Sequence, residues 1–140
     1  MKIGRILISL FFLTSLISCT KDDGNRIPEV YVQYDITKLE FDQNNTNGVL
    51  LVSGHGVAGL IIYRTSNNTY KAYDRCSSVE PEKKCAVIAD ESFTVTDPCS
   101  GAKYFLMDGS PAKSPAVRSL KEYRVQTTSF QIMVTNDYGN

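Results

Sequence analysis

The chain has 140 residues, a length that corresponds to one domain. Its 42% hydrophobic and 21% charged content is ordinary globular usage, which excludes a disordered tail, a collagen-like chain and a coiled coil. Fifteen Lys and Arg balance fifteen Asp and Glu, so no charge excess points to a nucleic-acid partner.

Lys2 and Arg5 precede an apolar run from Ile6 to Ile17 that is broken only by Ser9, Thr14 and Ser15. Such a run would span about 18 Å as a helix, short of the ~30 Å hydrocarbon core of a bilayer. A basic start, a short apolar stretch and small residues at its end mark residues 1–18 as a secretory signal. The stretch ends Leu16-Ile17-Ser18-Cys19, which resembles the lipobox of bacterial lipoproteins. The resemblance implies cleavage before Cys19 and lipid attachment to it, with two or more chains giving stable anchoring in the outer membrane. Residues 19–28 are polar and aperiodic and read as the lipidated cysteine followed by a flexible tether. Lys21-Asp22-Asp23 so close to Cys19 is similar to the export signal that places lipoproteins of Bacteroidetes-type bacteria on the cell surface. Periplasmic and surface-facing positions both remain open.

From Glu29 the pattern changes to short runs of β-branched and aromatic residues separated by turn signals. Val30, Val32 and Tyr34 alternate with polar neighbours, apart from Tyr31, and predict a first half-buried strand. Gly48–Val52 and Gly59–Tyr63 are continuous apolar runs. Gly54-His55-Gly56-Val57-Ala58-Gly59 has the spacing of half a nucleotide loop, but no helix pattern follows it, so it reads as a strand connection with His55 in an exposed turn. Thr65–Asn68 predicts a hairpin turn into Tyr70–Tyr73. Ala86–Ile88 and Phe93–Val95 flank Asp90-Glu91 as a second hairpin. Tyr104–Met107 meets the turn dipeptide Asp108-Gly109, and Tyr123–Val125 and Phe130–Val134 complete the series. No stretch holds a helical period over three turns. About nine short strands over residues 29–136 predict one all-β domain, a small antiparallel sandwich or barrel, with residues 137–140 as a C-terminal tail.

With Cys19 lipidated, Cys76, Cys85 and Cys99 remain, and an oxidising compartment makes one disulfide plus one odd thiol the default. Structural zinc sites show close Cys pairs, whereas the gaps here are 9 and 14, so no metal site is expected from these cysteines with Asp97 and His55. A Cys76–His55 catalytic pair lacks any orienting motif. Asp90, Glu91, Asp97 and Asp108 read as turn acids, and the tyrosines and phenylalanines as core and cross-strand packing. No enzyme activity is expected.

Two segments carry a family resemblance. The first is Tyr73-Asp74-Arg75-Cys76-Ser77-Ser78. The second runs from Asp97-Pro98-Cys99-Ser100-Gly101 through Leu106, Asp108-Gly109, Pro115-Ala116 and Leu120 to Tyr123. Their order resembles the Rieske iron–sulfur domain, which has a Cys-x-His loop, then Cys-Pro-Cys-His-Gly-Ser-x-Phe, an Asp-Gly turn, a Gly-Pro-Ala segment and Leu-x-x-Tyr. The match covers about residues 57–135. It implies a Rieske-like all-β fold with its two loops side by side at one end.

The departures bear on the cofactor. A Rieske centre binds one iron with two cysteines and the other with two histidines. Laid on that pattern, Cys76 keeps one thiolate position, while Ser78, Asp97 and Ser100 stand at the other three. The resemblance therefore implies a kept scaffold without a cluster. It also implies a Cys85–Cys99 disulfide, since cluster-bearing respiratory members tie their loops with non-ligand cysteines at those places. Such a bridge closes a loop of about 15 residues, worth on the order of 3 kcal/mol by chain entropy. The expectation is an envelope lipoprotein that touches the membrane through its anchor and serves as an interaction or structural module for an unidentified envelope protein or ligand. The alternative is electron transfer by a [2Fe–2S] cluster held through an unconventional ligand set.

Overall fold

Leu60-Ile61-Ile62-Tyr63 is buried at every position, which a strand achieves only when both faces are covered. The computed structural model, which describes residues 26–136, explains why. The expected signal, Cys19, most of the tether and the tail lie outside the described residues. Among the described residues ten strands form two antiparallel sheets. The larger contains β1 (Gln33–Thr37), β2 (Val49–Val52), β3 (Leu60–Arg64), β4 (Tyr70–Asp74), β9 (Glu122–Thr127) and β10 (Gln131–Thr135), in the order β1-β10-β9-β4-β3-β2. The smaller contains β5 (Ile88–Ala89), β6 (Thr94–Thr96), β7 (Lys103–Phe105) and β8 (Pro111–Lys113) in sequential order.

Strand alternation sorts the core into two clusters. Leu60 and Ile62 of β3 and Ala72 of β4 join Val32, Ile36, Phe41, Ile132 and Val134 on one face of the large sheet. Ile61, Tyr63 and Tyr73 point the other way, onto Val95, Tyr104 and Leu106 of the small sheet and onto Leu120. The all-β, antiparallel expectation holds. Among the described residues no helix is long and apolar enough to cross a membrane.

The local differences have physical causes. The first strand starts at Gln33 rather than Val30, although Val32 still accepts a backbone bond from Asn136 at 3.2 Å. A seven-residue helix, α1 (Lys38–Asn44), follows it directly. Thr37 caps this helix by accepting the Glu40 N–H at 3.0 Å, and Phe41 is its buried anchor. Two turns are too short to show a helical period. Strand β8 reads Pro-Ala-Lys and carries no β-branched signal. The strand beginning near Tyr104 ends at Phe105, because Leu106–Asp108 already turn toward Gly109. His55 is not an exposed turn residue: it is half-buried, with its ring edge-on to Tyr34 at 4.9 Å between centroids. The aromatic residues also divide, for Tyr63, Tyr73, Tyr104, Tyr123 and Phe41 are core, while Tyr31, Phe93, Phe105 and Phe130 are exposed.

The connection from β2 to β3 folds over the end of β4. A Cβ at Gly56, with φ of +67°, would lie 2.5 Å from the Asp74 carboxylate, so only glycine permits this approach. Asp74 is fully buried and accepts hydrogen bonds from the backbone N–H groups of Val57 (2.6 Å), Ala58 (3.1 Å) and Cys76 (2.8 Å) and from the Tyr123 hydroxyl (2.7 Å). Burial and this bond push the Tyr123 hydroxyl above the usual tyrosine range. One carboxylate thus joins the β2–β3 connection, β4 and β9, and sets where the chain leaves the large sheet for the first loop.

Candidate functional site

The first loop, residues 75–87, leaves β4 after Asp74 and contains a short 3-10 turn at Pro81–Lys83. Glu80 and Lys84 flank that turn in the left-handed region at φ of 51° and 50°, a conformation that costs on the order of 1 kcal/mol or more for a non-glycine residue. The loop is held in place from its base: Val87 N–H donates to Arg75 O at 2.7 Å and Ser77 N–H to Cys85 O at 2.9 Å. The second loop, residues 97–102, connects β6 to β7. Its backbone closes through Asp97 N–H to Ala102 O and Gly101 N–H to Asp97 O, each 2.8 Å.

The two loops are covalently joined. Cys85 and Cys99 form a disulfide with a Cα–Cα separation of 6.3 Å, inside the usual range of about 4.4–6.8 Å. The sequence resemblance placed this bridge correctly. Among the described residues Cys76 is the free thiol, fully buried, with its Sγ 3.7 Å from Ser77 O and 3.6 Å from Pro81 O. Burial, reinforced by Asp74, pushes its pKa up to about 11, so it is a neutral thiol at ordinary pH.

Tyr104 of β7 reaches from the second sheet into the first loop. Its hydroxyl lies 3.0 Å from both Ser77 Oγ and Ser78 Oγ and accepts the Ser78 N–H at 3.2 Å. Ser78 Oγ in turn donates to Arg118 O at 2.7 Å. The sequence pattern reads Tyr104 as packing, because its partners Ser77 and Ser78 lie 27 and 26 residues earlier. The second loop is braced around its own acid. Asp97 accepts the Cys99 N–H at 2.8 Å and the Ser100 hydroxyl at 2.6 Å. Asp97 is fully buried rather than a turn acid. Burial alone would raise its pKa, but bonds from Ser100, Ser77 and the backbone of Cys99 and Ser100 outweigh it and hold the carboxyl below the usual range.

The sequence-derived positions therefore lie on the two joined loops: Cys76 and Ser78 on the first, Asp97 and Ser100 on the second. Together they offer one protonated thiol, two hydroxyls and one carboxylate. Among the other acids considered, Asp90 pairs with Lys103 at 2.8 Å and accepts from Thr94 and Thr96, a structural role on the outer face of the small sheet.

No protein-family model matches the chain, and no curated protein matches it either. Solved structures do match. The cyanobacterial plasma membrane Rieske protein PetC3 from Synechocystis PCC 6803 is 22% identical, with a TM-score of 0.54 over 76% of this chain and 98% of that one. A chain in the complex of reduced oxygenase and oxidized ferredoxin in carbazole 1,9a-dioxygenase is 18% identical, with a TM-score of 0.55 over 78% of this chain and 97% of that one. The ferredoxin of carbazole 1,9a-dioxygenase from Nocardioides aromaticivorans IC177 is 18% identical, with a TM-score of 0.52 over 78% of this chain and 100% of that one. Likeness at such identity concerns the fold: this chain has a Rieske-like all-β fold.

Proposed function

We propose that this protein is an envelope lipoprotein, anchored in the outer membrane through Cys19, whose Rieske-like domain binds no iron–sulfur cluster and acts as a non-enzymatic interaction or structural module. The observation that carries the reading is the donor set at the paired loops. A Rieske centre takes two thiolates and two neutral imidazoles. Cys76, Ser78, Asp97 and Ser100 offer one thiol and no imidazole, and His55 packs on Tyr34 instead. The hydroxyls are already engaged, Ser78 with Tyr104 and Arg118 and Ser100 with Asp97. These residues do not fit a [2Fe–2S] cluster of that type. The end of the domain carrying the exposed Cys99 is the surface we assign to an envelope partner, reached from either side of the outer membrane according to how the tether directs it.

The full chain, purified anaerobically in detergent, should be colourless and free of stoichiometric iron. Metabolic palmitate should label the wild type and not the Cys19→Ala variant. A visible iron–sulfur absorption spectrum with two irons per chain would replace this reading with electron transfer through an unconventional ligand set. Equal palmitate labelling of both forms would remove the anchor.

A further inference from the structure

Among the described residues, one place gathers three ligand-bearing side chains. The ligand atoms of Cys85, Asp97 and Cys99 all lie within 4.8 Å of one another. The two sulfurs are bonded to each other, so the cluster holds no free thiolate as it stands. We propose that reduction of the Cys85–Cys99 disulfide turns this tip into a zinc site, with two thiolates and the Asp97 carboxylate as protein ligands and solvent in the fourth position.

The geometry supports three ligands around one ion. Zinc–sulfur distances of about 2.3 Å and zinc–oxygen distances of about 2.0–2.2 Å in a tetrahedron require ligand atoms about 3.5–3.8 Å apart. Reduction lets the sulfurs separate to that spacing, and the carboxylate, within 4.8 Å of both, needs at most about an ångström of closure to reach it. The wide sequence gap that argues against a local zinc loop is irrelevant here, because the antiparallel register of β5 and β6, which pairs Ile88 with Thr96, carries on to set Cys85 opposite Cys99. Asp97 is also oriented in advance. The Cys99 N–H holds Oδ1 and the Ser100 hydroxyl holds Oδ2, and zinc would take the place of one of the two further donors to this carboxylate, the Ser77 hydroxyl or the Ser100 N–H. Burial grades from the fully buried Asp97 through the half-buried Cys85 to the exposed Cys99. The metal would thus sit with its carboxylate behind it and an open position toward solvent, the arrangement of sites that keep an exchangeable ligand.

The same gradient determines how the site opens. A dithiol reductant reaches the exposed Cys99 sulfur, forms a mixed disulfide with it and releases Cys85 as a thiolate. Its second thiol then displaces Cys99. Two electrons and two protons have passed to the protein pair, and the reductant leaves as a disulfide. Zinc binding finally releases the two thiol protons. Cys76 is not one of the grouped ligands, and its buried Sγ faces the Ser77 and Pro81 carbonyls instead.

The test uses the full chain in detergent, reduced with a water-soluble phosphine that is then removed, and titrated with zinc against a chromophoric chelator. The reduced protein should bind one zinc per chain and the oxidised protein none. Cys99→Ser should abolish binding and Cys76→Ala should leave it intact. Asp97→Asn should weaken it at least about tenfold, the loss typical of removing even an outer-shell partner. Cobalt(II) supplies a readout on the wild type alone, as a thiolate charge-transfer band with tetrahedral ligand-field bands. An octahedral cobalt spectrum, equal zinc affinity in Cys99→Ser, or loss of the β circular dichroism on reduction would each overturn the proposal.

Discussion

Replacing Asp74 by Ala should be among the most damaging single substitutions in the domain. The side chain is fully buried and receives four hydrogen bonds, three from backbone N–H groups and one from Tyr123. Two of those donors, Cys76 N–H and the Tyr123 hydroxyl, are buried as well and would keep no acceptor. Each buried orphan costs about 1–3 kcal/mol. Val57 and Ala58 lie on a half-buried connection where water can replace the lost acceptor, so they add less. The total is about 4 kcal/mol, a large part of the 5–15 kcal/mol that holds a typical domain. Tyr123→Phe leaves the carboxylate three donors and should cost only about 1–2 kcal/mol. Combining the two removes the orphaned hydroxyl, so the double variant should be less destabilised than the sum of the singles by about 1 kcal/mol or more. Asp74→Asn should cost nearly as much as Ala, since one amide position presents a donor to donors. Urea unfolding followed by circular dichroism measures all four, with an unchanged m-value confirming that stability alone has moved. A loss below about 1 kcal/mol for Asp74→Ala, or strict additivity with Tyr123→Phe, would refute the reasoning.

Two further outcomes follow from the paired loops. Cys99→Ser should lower stability by about 3 kcal/mol, the entropy of the loop that the bridge closes, and non-reducing peptide mapping of the wild type should join the Cys85 and Cys99 peptides with Cys76 open to alkylation only after denaturation. Because Asp97 is held below its unfolded value of about 3.9, its contribution is complete above that pH and is lost as pH falls through the folded value; Asp97→Asn should therefore flatten the acid limb of a stability-against-pH curve and leave its neutral region parallel to the wild type.

The all-β class was legible because strand signals are local. Alternation around Tyr34, the apolar run at Leu60–Tyr63 and the turn at Thr65–Asn68 each report their own strand, and the observed pairing of β3 with β4 follows from them. The disulfide was legible through its flanking residues and the family pattern they resemble. What escaped was set by distant partners or by short length. Helix α1 announced itself only through Thr37 and Glu40, the spacing of a capping box, without enough turns to show a period. Asp74 reads as a polar residue after a strand, and nothing nearby says that Val57, Ala58 and Tyr123 converge on it. Tyr104 looked like one more core aromatic, because its hydroxyl partners, Ser77 and Ser78, lie more than twenty residues earlier. The burial of Asp97 was hidden for the same reason.

The pair of strands β3 and β4 serves as a common wall for both hydrophobic clusters, and this has an evolutionary consequence. A volume change at Ile61 or Tyr73 disturbs one cluster directly and reaches the other through the backbone it shares with Ile62 and Ala72, so these positions are constrained as a group. The loop tip lies outside that mutual constraint, tied down by one covalent link and by polar contacts that several residue types can make. Descendants of such a molecule are free to exchange the chemistry of the tip, one residue at a time, while the wall behind it keeps the architecture recognisable long after sequence identity has decayed.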